Sequence, residues 1–82
     1  MTRVQVRLFG PVRDIVGKDD LVLDVPAPGL GATVYEMLAA DYPELARWRA
    51  SLRLAVNLEY VSFDRALAEG DEVSIIPPVS GG

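Results

Sequence analysis

The sequence contains no cysteine and no histidine among its 82 residues. Their absence excludes disulfides, thiol nucleophiles, imidazole general bases and the common zinc sites, so we predict no metal site. The serine hydroxyls have no histidine to activate them. The single lysine, Lys18, lies in an acidic turn beside Asp19 and Asp20. We therefore expect a protein that is not catalytic alone and that serves as a substrate or partner of enzymes.

Long apolar runs and basic clusters are also missing. No stretch approaches the roughly 18 apolar residues of a membrane span, and the first residues alternate with charge where a signal peptide would be continuously apolar. The formal net charge is −4, and the arginines are scattered among acidic residues. The sequence therefore predicts no basic patch that could bind a nucleic-acid phosphate backbone. The glycines at 29 and 31 lack the third glycine of a dinucleotide loop. We expect a cytoplasmic protein with no nucleic-acid partner, no membrane partner and no bound cofactor.

Half of the residues are hydrophobic, which is enough for one globular domain of this length. Two-residue alternation predicts a first strand over residues 3–9 and a long third strand over residues 52–59. Apolar runs predict two more strands, over residues 21–25 and 72–76, each followed by proline. Residues 12–16 have room for about one helical turn before Gly17.

One main helix is predicted between the second and third strands. Thr33 and Glu36 have the spacing of a capping box at a helix start, and Pro43 predicts an end near Tyr42. A looser turn then follows, in which Trp48 is expected to cover the core. This order predicts an α+β fold of the β-grasp type, in which a mixed sheet of four to five strands packs on one main helix and the first and last strands lie side by side at its centre.

The last six residues read Pro-Pro-Val-Ser-Gly-Gly. Two prolines stiffen the exit from the last strand, and two glycines have no Cβ to obstruct a narrow channel. Six extended residues reach at most about 20 Å. We therefore predict a globular domain over residues 1–76 and an extended tail over residues 77–82, whose terminal carboxylate enters another protein's active site. A frayed, inert terminus is the alternative.

Several segments resemble the small subunit of molybdopterin synthase, the MoaD-type sulfur carriers of the ubiquitin-like MoaD/ThiS superfamily. The resemblance is strongest in residues 56–61, 70–73 and 77–82, and it extends to residues 6–13. It implies a ubiquitin-like β-grasp fold. It also implies that Gly82 is the reacting residue and that Gly81, Ser80 and Val79 form the slim tail behind it.

The resemblance further implies a sequence of partners. An adenylyltransferase of the ubiquitin-activating type (MoeB-type) would use ATP to adenylate the Gly82 carboxylate, and a sulfur donor would convert it to a thiocarboxylate. The tail would then enter the large subunit of the synthase (MoaE-type), in a heterotetramer, and give sulfur to cyclic pyranopterin monophosphate in molybdenum cofactor biosynthesis. Adenylate is a better leaving group than oxide, which makes attack by sulfur feasible.

A docking surface is expected close to the tail. Phe9 and Ile76 are out of phase with the apolar faces of their strands, and large apolar groups on a polar face often mark a partner site. The resemblance places the contact with the large subunit at Phe9, Tyr60 and Ile76, with Arg13 nearby. Burial of these residues under loops is the alternative.

Two other functions remain open. One is a related ubiquitin-like carrier that supplies sulfur for thiamine thiazole or for tRNA thiolation, or that modifies proteins. The other is an interaction module with an inert tail. Loss of Gly82 would abolish adenylation in a carrier and would change nothing in an interaction module.

Overall fold

The computed structural model describes residues 1–78 of the chain. It contains five strands, two α-helices and one 3₁₀ segment. In chain order these are β1 (Thr2–Leu8), α1 (Gly10–Val16), β2 (Asp20–Val25), α2 (Gly31–Asp41), the 3₁₀ segment (Pro43–Ser51), β3 (Arg53–Val56), β4 (Glu59–Val61) and β5 (Glu72–Ile76).

The strands form one mixed sheet in the order β2-β1-β5-β3-β4. β1 and β5 pair in parallel, with Val6 opposite Val73, and the other neighbouring strands are antiparallel. The predicted β-grasp arrangement is confirmed, including the first and last strands side by side at the centre. Because the central pair is parallel, the end of β5 lies at the same edge of the sheet as the end of β1.

α2 covers one face of the sheet. Its Val34 and Leu38 are buried in the same apolar cluster as alternate residues of the central strands, among them Val6, Leu54 and Ile75. The opposite face of the sheet carries the residues that alternate with these along each strand. One row of directly paired residues across this face, from β1 through β5 and β3 to β4, consists of Arg7, Ser74, Ala55 and Tyr60.

The predicted third strand, residues 52–59, is wrong in its second half. β3 ends at Val56, and a two-residue turn leads to β4. Both turn residues, Asn57 and Leu58, have positive φ, of 51° and 71°, as a two-residue hairpin requires. Leu58 is in phase with Leu54 and Val56 in the sequence, yet its side chain is 88% exposed.

The predicted start of the main helix is also wrong. Thr33 is the third residue of α2, and its hydroxyl accepts a hydrogen bond from the Leu30 N–H at 3.2 Å. The first free N–H groups of the helix, at Gly31 and Ala32, donate to carbonyls in the loop before β5, at 2.9 and 2.7 Å. Because that loop satisfies them, no Ser/Thr cap is needed. The predicted end of the helix is confirmed.

The connections are more regular than predicted. α1 has seven residues in place of the single expected turn, with Pro11 in its first turn and Gly17 as a left-handed cap. The region after Pro43 is a nine-residue 3₁₀ segment, and Trp48 packs partly buried against the core, as expected. Within residues 1–78, none of the helices has the length and apolar character that a membrane crossing needs.

Candidate functional site

The root of the predicted tail lies where β5 leaves the sheet. Pro77 is half-buried and Pro78 is exposed. Gly10 lies against this root: a Cβ added to Gly10 would be 3.0 Å from Pro77 Cγ, and its φ of +54° is a conformation that glycine adopts readily. The parallel pairing of β1 with β5 brings these two residues together. The predicted tail residues Val79, Ser80, Gly81 and Gly82 lie outside the described residues.

A shallow depression of about 370 Å³ opens beside the tail root. Its lining residues are Ala50, Ser51, Arg53, Tyr60, Ile76, Pro77 and Pro78. One guanidinium nitrogen of Arg53, Nη1, donates to the carbonyl of Leu52 at 3.0 Å. The depression therefore combines a phenol ring, aliphatic surface, the Ser51 hydroxyl and one guanidinium group, and no histidine, cysteine, aspartate or glutamate is among these lining residues, which suits it better to binding a protein surface than to catalysis.

The four predicted docking residues fall into two groups. Tyr60, 70% exposed, and Ile76, partly buried, line the depression. Phe9, 42% exposed, is the N-cap of α1 and directly precedes Gly10, so it flanks the tail root on the other side. The structure thus places three of the four predicted residues around the tail root, and none of the three is fully buried under a loop. Their role in docking stays a prediction.

Arg13 lies on α1, one helical turn beyond Phe9. Its side chain is 3.7 Å from Asp19 and 3.9 Å from Asp14, in a separate depression of about 410 Å³ between α1 and β2 whose lining is charged with both signs. Its backbone N–H donates to Phe9 O at 3.3 Å.

The shortest ion pair within residues 1–78 lies at the other end of the sheet. Arg3 Nε is 2.9 Å from Asp24 Oδ1 across the β1–β2 pairing. The hydrogen bond from Arg3 lowers the pKa of the Asp24 carboxyl, and the same bond raises the pKa of Arg3. Because β1 runs from this pair toward Gly10, the pair belongs to the framework of the sheet and not to the tail root.

The described residues contain no set of three histidine, cysteine, aspartate or glutamate side chains that could hold a metal ion. Sequence reasoning missed two members of the tail-root site, Gly10 and Arg53. The strand predicted over residues 3–9 is directly followed by Gly10, and a glycine at such a position can signal a close backbone approach.

The sequence profile of the ThiS family matches residues 6–82. The chain belongs to the ThiS family. This ThiS-family chain is 40% identical, over 80 residues, to the molybdopterin synthase sulfur carrier subunit of Escherichia coli strain K12, a match that covers 96% of this chain and 99% of that protein.

Solved structures share the fold of this ThiS-family member. A protein of Pyrococcus furiosus named as molybdopterin converting factor subunit 1 superimposes with a TM-score of 0.85 at 26% identity, over 96% of this chain and all of that one. The small archaeal modifier protein 1 of Methanosarcina acetivorans superimposes with a TM-score of 0.83 at 26% identity, over all of this chain and 98% of that one. Both similarities extend over the whole β-grasp body.

Proposed function

We propose that this chain is a sulfur carrier, the small subunit of a molybdopterin synthase. The observation that carries the proposal is the 40% identity to the E. coli sulfur carrier subunit over nearly the full length of both chains. The shape of the site supports the proposal, because an exposed apolar surface surrounds the point where the tail leaves the sheet.

The working group in this proposal is the carboxylate of Gly82, taken as the carboxyl-terminal residue. ATP, bound by an adenylyltransferase partner, is attacked by the carboxylate, and pyrophosphate leaves. Hydrosulfide supplied by a sulfur donor then attacks the acyl carbon of the adenylate, the carbon–oxygen bond to AMP breaks, and AMP leaves, which yields the thiocarboxylate. The chain's own contribution is to present the tail, since it has no cysteine that could intercept the acyl adenylate.

The large subunit of the synthase is the proposed docking partner of the tail, and cyclic pyranopterin monophosphate is the proposed sulfur acceptor. The contact of the large subunit would be the tail-root group, in which Tyr60 and Ile76 share one depression and Phe9 stands on the other side of Pro77. Partly exposed aromatic and aliphatic side chains of this kind are typical anchors at protein interfaces. Ile76→Asp is expected to abolish tight association, because a carboxylate would be desolvated in an apolar contact.

The direct test is the intact mass of the chain after incubation with ATP, an adenylyltransferase and a sulfur source. The expected change is the exchange of one oxygen for one sulfur atom. Deletion of Gly82 should prevent the change and leave the thermal unfolding midpoint where it was. A known carrier in the same mixture serves as the positive control for the activating enzyme. If that carrier is converted and the mass of the full chain does not change, the proposal is refuted.

A second candidate is a protein modifier, favoured by the similarity to the small archaeal modifier protein. In that case the activated Gly82 carboxyl would form an amide with a lysine of a target protein. The two functions differ in their products, since a modifier leaves conjugates of higher mass and a sulfur carrier is regenerated with its carboxylate free. Denaturing electrophoresis of cells that express the tagged chain, with the Gly82 deletion as control, distinguishes them.

A further inference from the structure

The tail root leaves the sheet at a residue that cannot extend the hydrogen-bond ladder. Continued by two residues, the register of β1 with β5 places Gly10 opposite Pro77, but Pro77 has no N–H to donate to either neighbouring strand. On the β3 side, the Leu52 N–H already donates to two carbonyls of the 3₁₀ segment, at 3.0 and 3.4 Å. The ladder therefore ends with β5, and the packing around the proline ring sets the direction in which the chain continues.

Gly10 packs directly against that ring. A Cβ added to Gly10 would stand 3.0 Å from Cγ and 3.7 Å from Cβ of Pro77. Apart from the adjoining residues and the backbone of α1, these are the only atoms among residues 1–78 within 4 Å of the added carbon. Carbon atoms in favourable contact are about 3.5–4.0 Å apart. The space that a side chain would need at this position is therefore taken by the tail root alone.

The backbone at Gly10 is held more firmly than the proline. A hydrogen bond of 2.8 Å from the Leu8 N–H fixes the end of β1, and one of 3.3 Å to the Phe9 carbonyl closes the first turn of α1. Val12, on the same helix, is fully buried in the core. Because Pro77 lies beyond the last paired residue of β5, a side chain at Gly10 would displace Pro77 and not the helix.

The two prolines of the tail root carry its direction outward. Ile76 and Pro77 each precede a proline, and a residue before a proline is restricted to extended conformations. Each proline ring in addition fixes its own φ near −65°. Consecutive prolines therefore form a stiff, extended segment that rises about 3.1 Å per residue. A displacement of Pro77 would be passed on to Pro78, because few bond rotations between them can absorb it.

We propose that Gly10 is a positioning residue, which seats the Pro77 ring because it has no side chain and thereby sets the direction in which the tail leaves the body. This inference rests on the proposed function, in which an enzyme binds the body and the Gly82 carboxylate at the same time. When the tail starts in one direction, an enzyme docked on the body has less conformational entropy to remove before the carboxylate reaches its active site.

The experiment measures kcat and KM for activation of the full chain by the adenylyltransferase of the same organism, read as pyrophosphate released from ATP with hydrosulfide present, together with the thermal unfolding midpoint. Gly10→Asn adds a Cβ, and asparagine tolerates the positive φ of +54°. We expect kcat to fall at least about 10-fold, since a misplacement of about 1 Å can cost about 100-fold. KM should stay within about 3-fold, because the docking residues Tyr60 and Ile76 are unchanged.

Gly17→Asn is the matched control. Gly17 caps the other end of α1 with a φ of +82°, and no atom lies within 4 Å of a Cβ added to it, so kcat and KM should equal those of the natural chain. Pro77→Ala tests the route of the effect, because it removes the Cγ that the added Cβ would meet. In the Pro77→Ala background, Gly10→Asn should lower kcat less than about 3-fold.

Each outcome decides the inference. Equal kcat for Gly10→Asn and the natural chain would overturn it and leave the proposed function standing. It would also be wrong if Gly10→Asn lowered kcat as much in the Pro77→Ala background as in the natural chain. If Gly10→Asn does not fold, Gly10→Ala adds the Cβ alone and is judged by the same comparisons. A natural chain that is not activated, in a mixture that activates a known carrier, would overturn both the inference and the proposed function.

Discussion

The first turn of α2 lies so close to β3 that residue 31 has no space for a methyl group. A Cβ on Gly31 would collide with Leu54 Cδ2 and would stand 3.2 Å from the Phe63 carbonyl oxygen. Leu54 is 1% exposed, so its side chain would have to move within the core to make room. The loop carbonyl cannot withdraw without lengthening the 2.7 Å hydrogen bond that it accepts from the Ala32 N–H.

Gly31→Ala should therefore destabilise the domain despite alanine's higher helix propensity. Forcing a methyl group into a packed core costs about 1–3 kcal/mol, and weakening the hydrogen bond at the helix start adds about 1 kcal/mol. The propensity gain is at most about 1 kcal/mol. The net loss of about 2 kcal/mol corresponds to a midpoint about 8–16 °C lower, at 4–8 °C per kcal/mol for a domain of this size.

Thermal and urea unfolding measure this loss, and two further variants test its cause. Leu54→Val shortens the side chain that causes the collision, so the double variant should be more stable than the sum of the single effects by about 1 kcal/mol. Gly70 has a positive φ of 85°, and no atom lies within 4 Å of a Cβ added to it. Gly70→Ala should therefore cost only the backbone strain, about 1 kcal/mol of the free energy of unfolding. An unchanged or higher midpoint for Gly31→Ala would refute the reasoning.

Three further predictions concern the framework of the sheet and its connections. Arg3→Gln should raise the pKa of Asp24 toward its ordinary value, as followed by NMR titration. The pKa of Asp24 is lowered in the folded state, so the ion pair stabilises the fold above the unfolded-state pKa of Asp24. This contribution is lost as the pH falls through the folded-state pKa. If the free energy of unfolding of Arg3→Gln had the same pH dependence as that of the natural chain, the prediction would be contradicted. Arg49→Ala should lower the free energy of unfolding in urea by about 0.5–1 kcal/mol, because the guanidinium carbon lies 3.9 Å from the centroid of the Phe63 ring. An Arg49→Lys variant that is as unstable as Arg49→Ala would count against this contact. Asn57→Ala should cost about 1–3 kcal/mol, because it leaves the start of β5 without its side-chain partner; a midpoint equal to that of the natural chain would show that water replaces the amide.

Local sequence patterns predicted most of the fold. Proline and turn residues marked the end of α2 and the bounds of β5, because these signals act within a few residues of the chain. The order of elements then predicted that the first and last strands lie side by side at the centre of a mixed sheet. Leu58 was assigned wrongly because alternation is identical for a buried strand residue and for a turn residue that happens to be in phase.

The remaining errors have a non-local cause. The start of α2 is set by carbonyls more than thirty residues further along the chain, at Phe63 and Arg65, so a search for Ser/Thr caps near the helix found the wrong residue. The same holds for the candidate site. The phase of Ile76 in its strand indicated an exposed apolar surface, but the contact between Gly10 and Pro77 depends on the pairing of β1 with β5 and has no local signal.

The position of the tail root has a consequence for how the proposed carrier would work. β5 is held on both sides, by β1 and by β3, so its last residue cannot shift relative to Phe9 or Tyr60. Under the proposed function Gly82 ends a tail that reaches at most about 20 Å from Ile76, so we expect a protein that encloses its carboxylate to contact the body at this end of the sheet. The adenylyltransferase and the large subunit would both require that contact, so they would compete for overlapping surface. The carrier would then have to leave the first enzyme before it could deliver sulfur to the second.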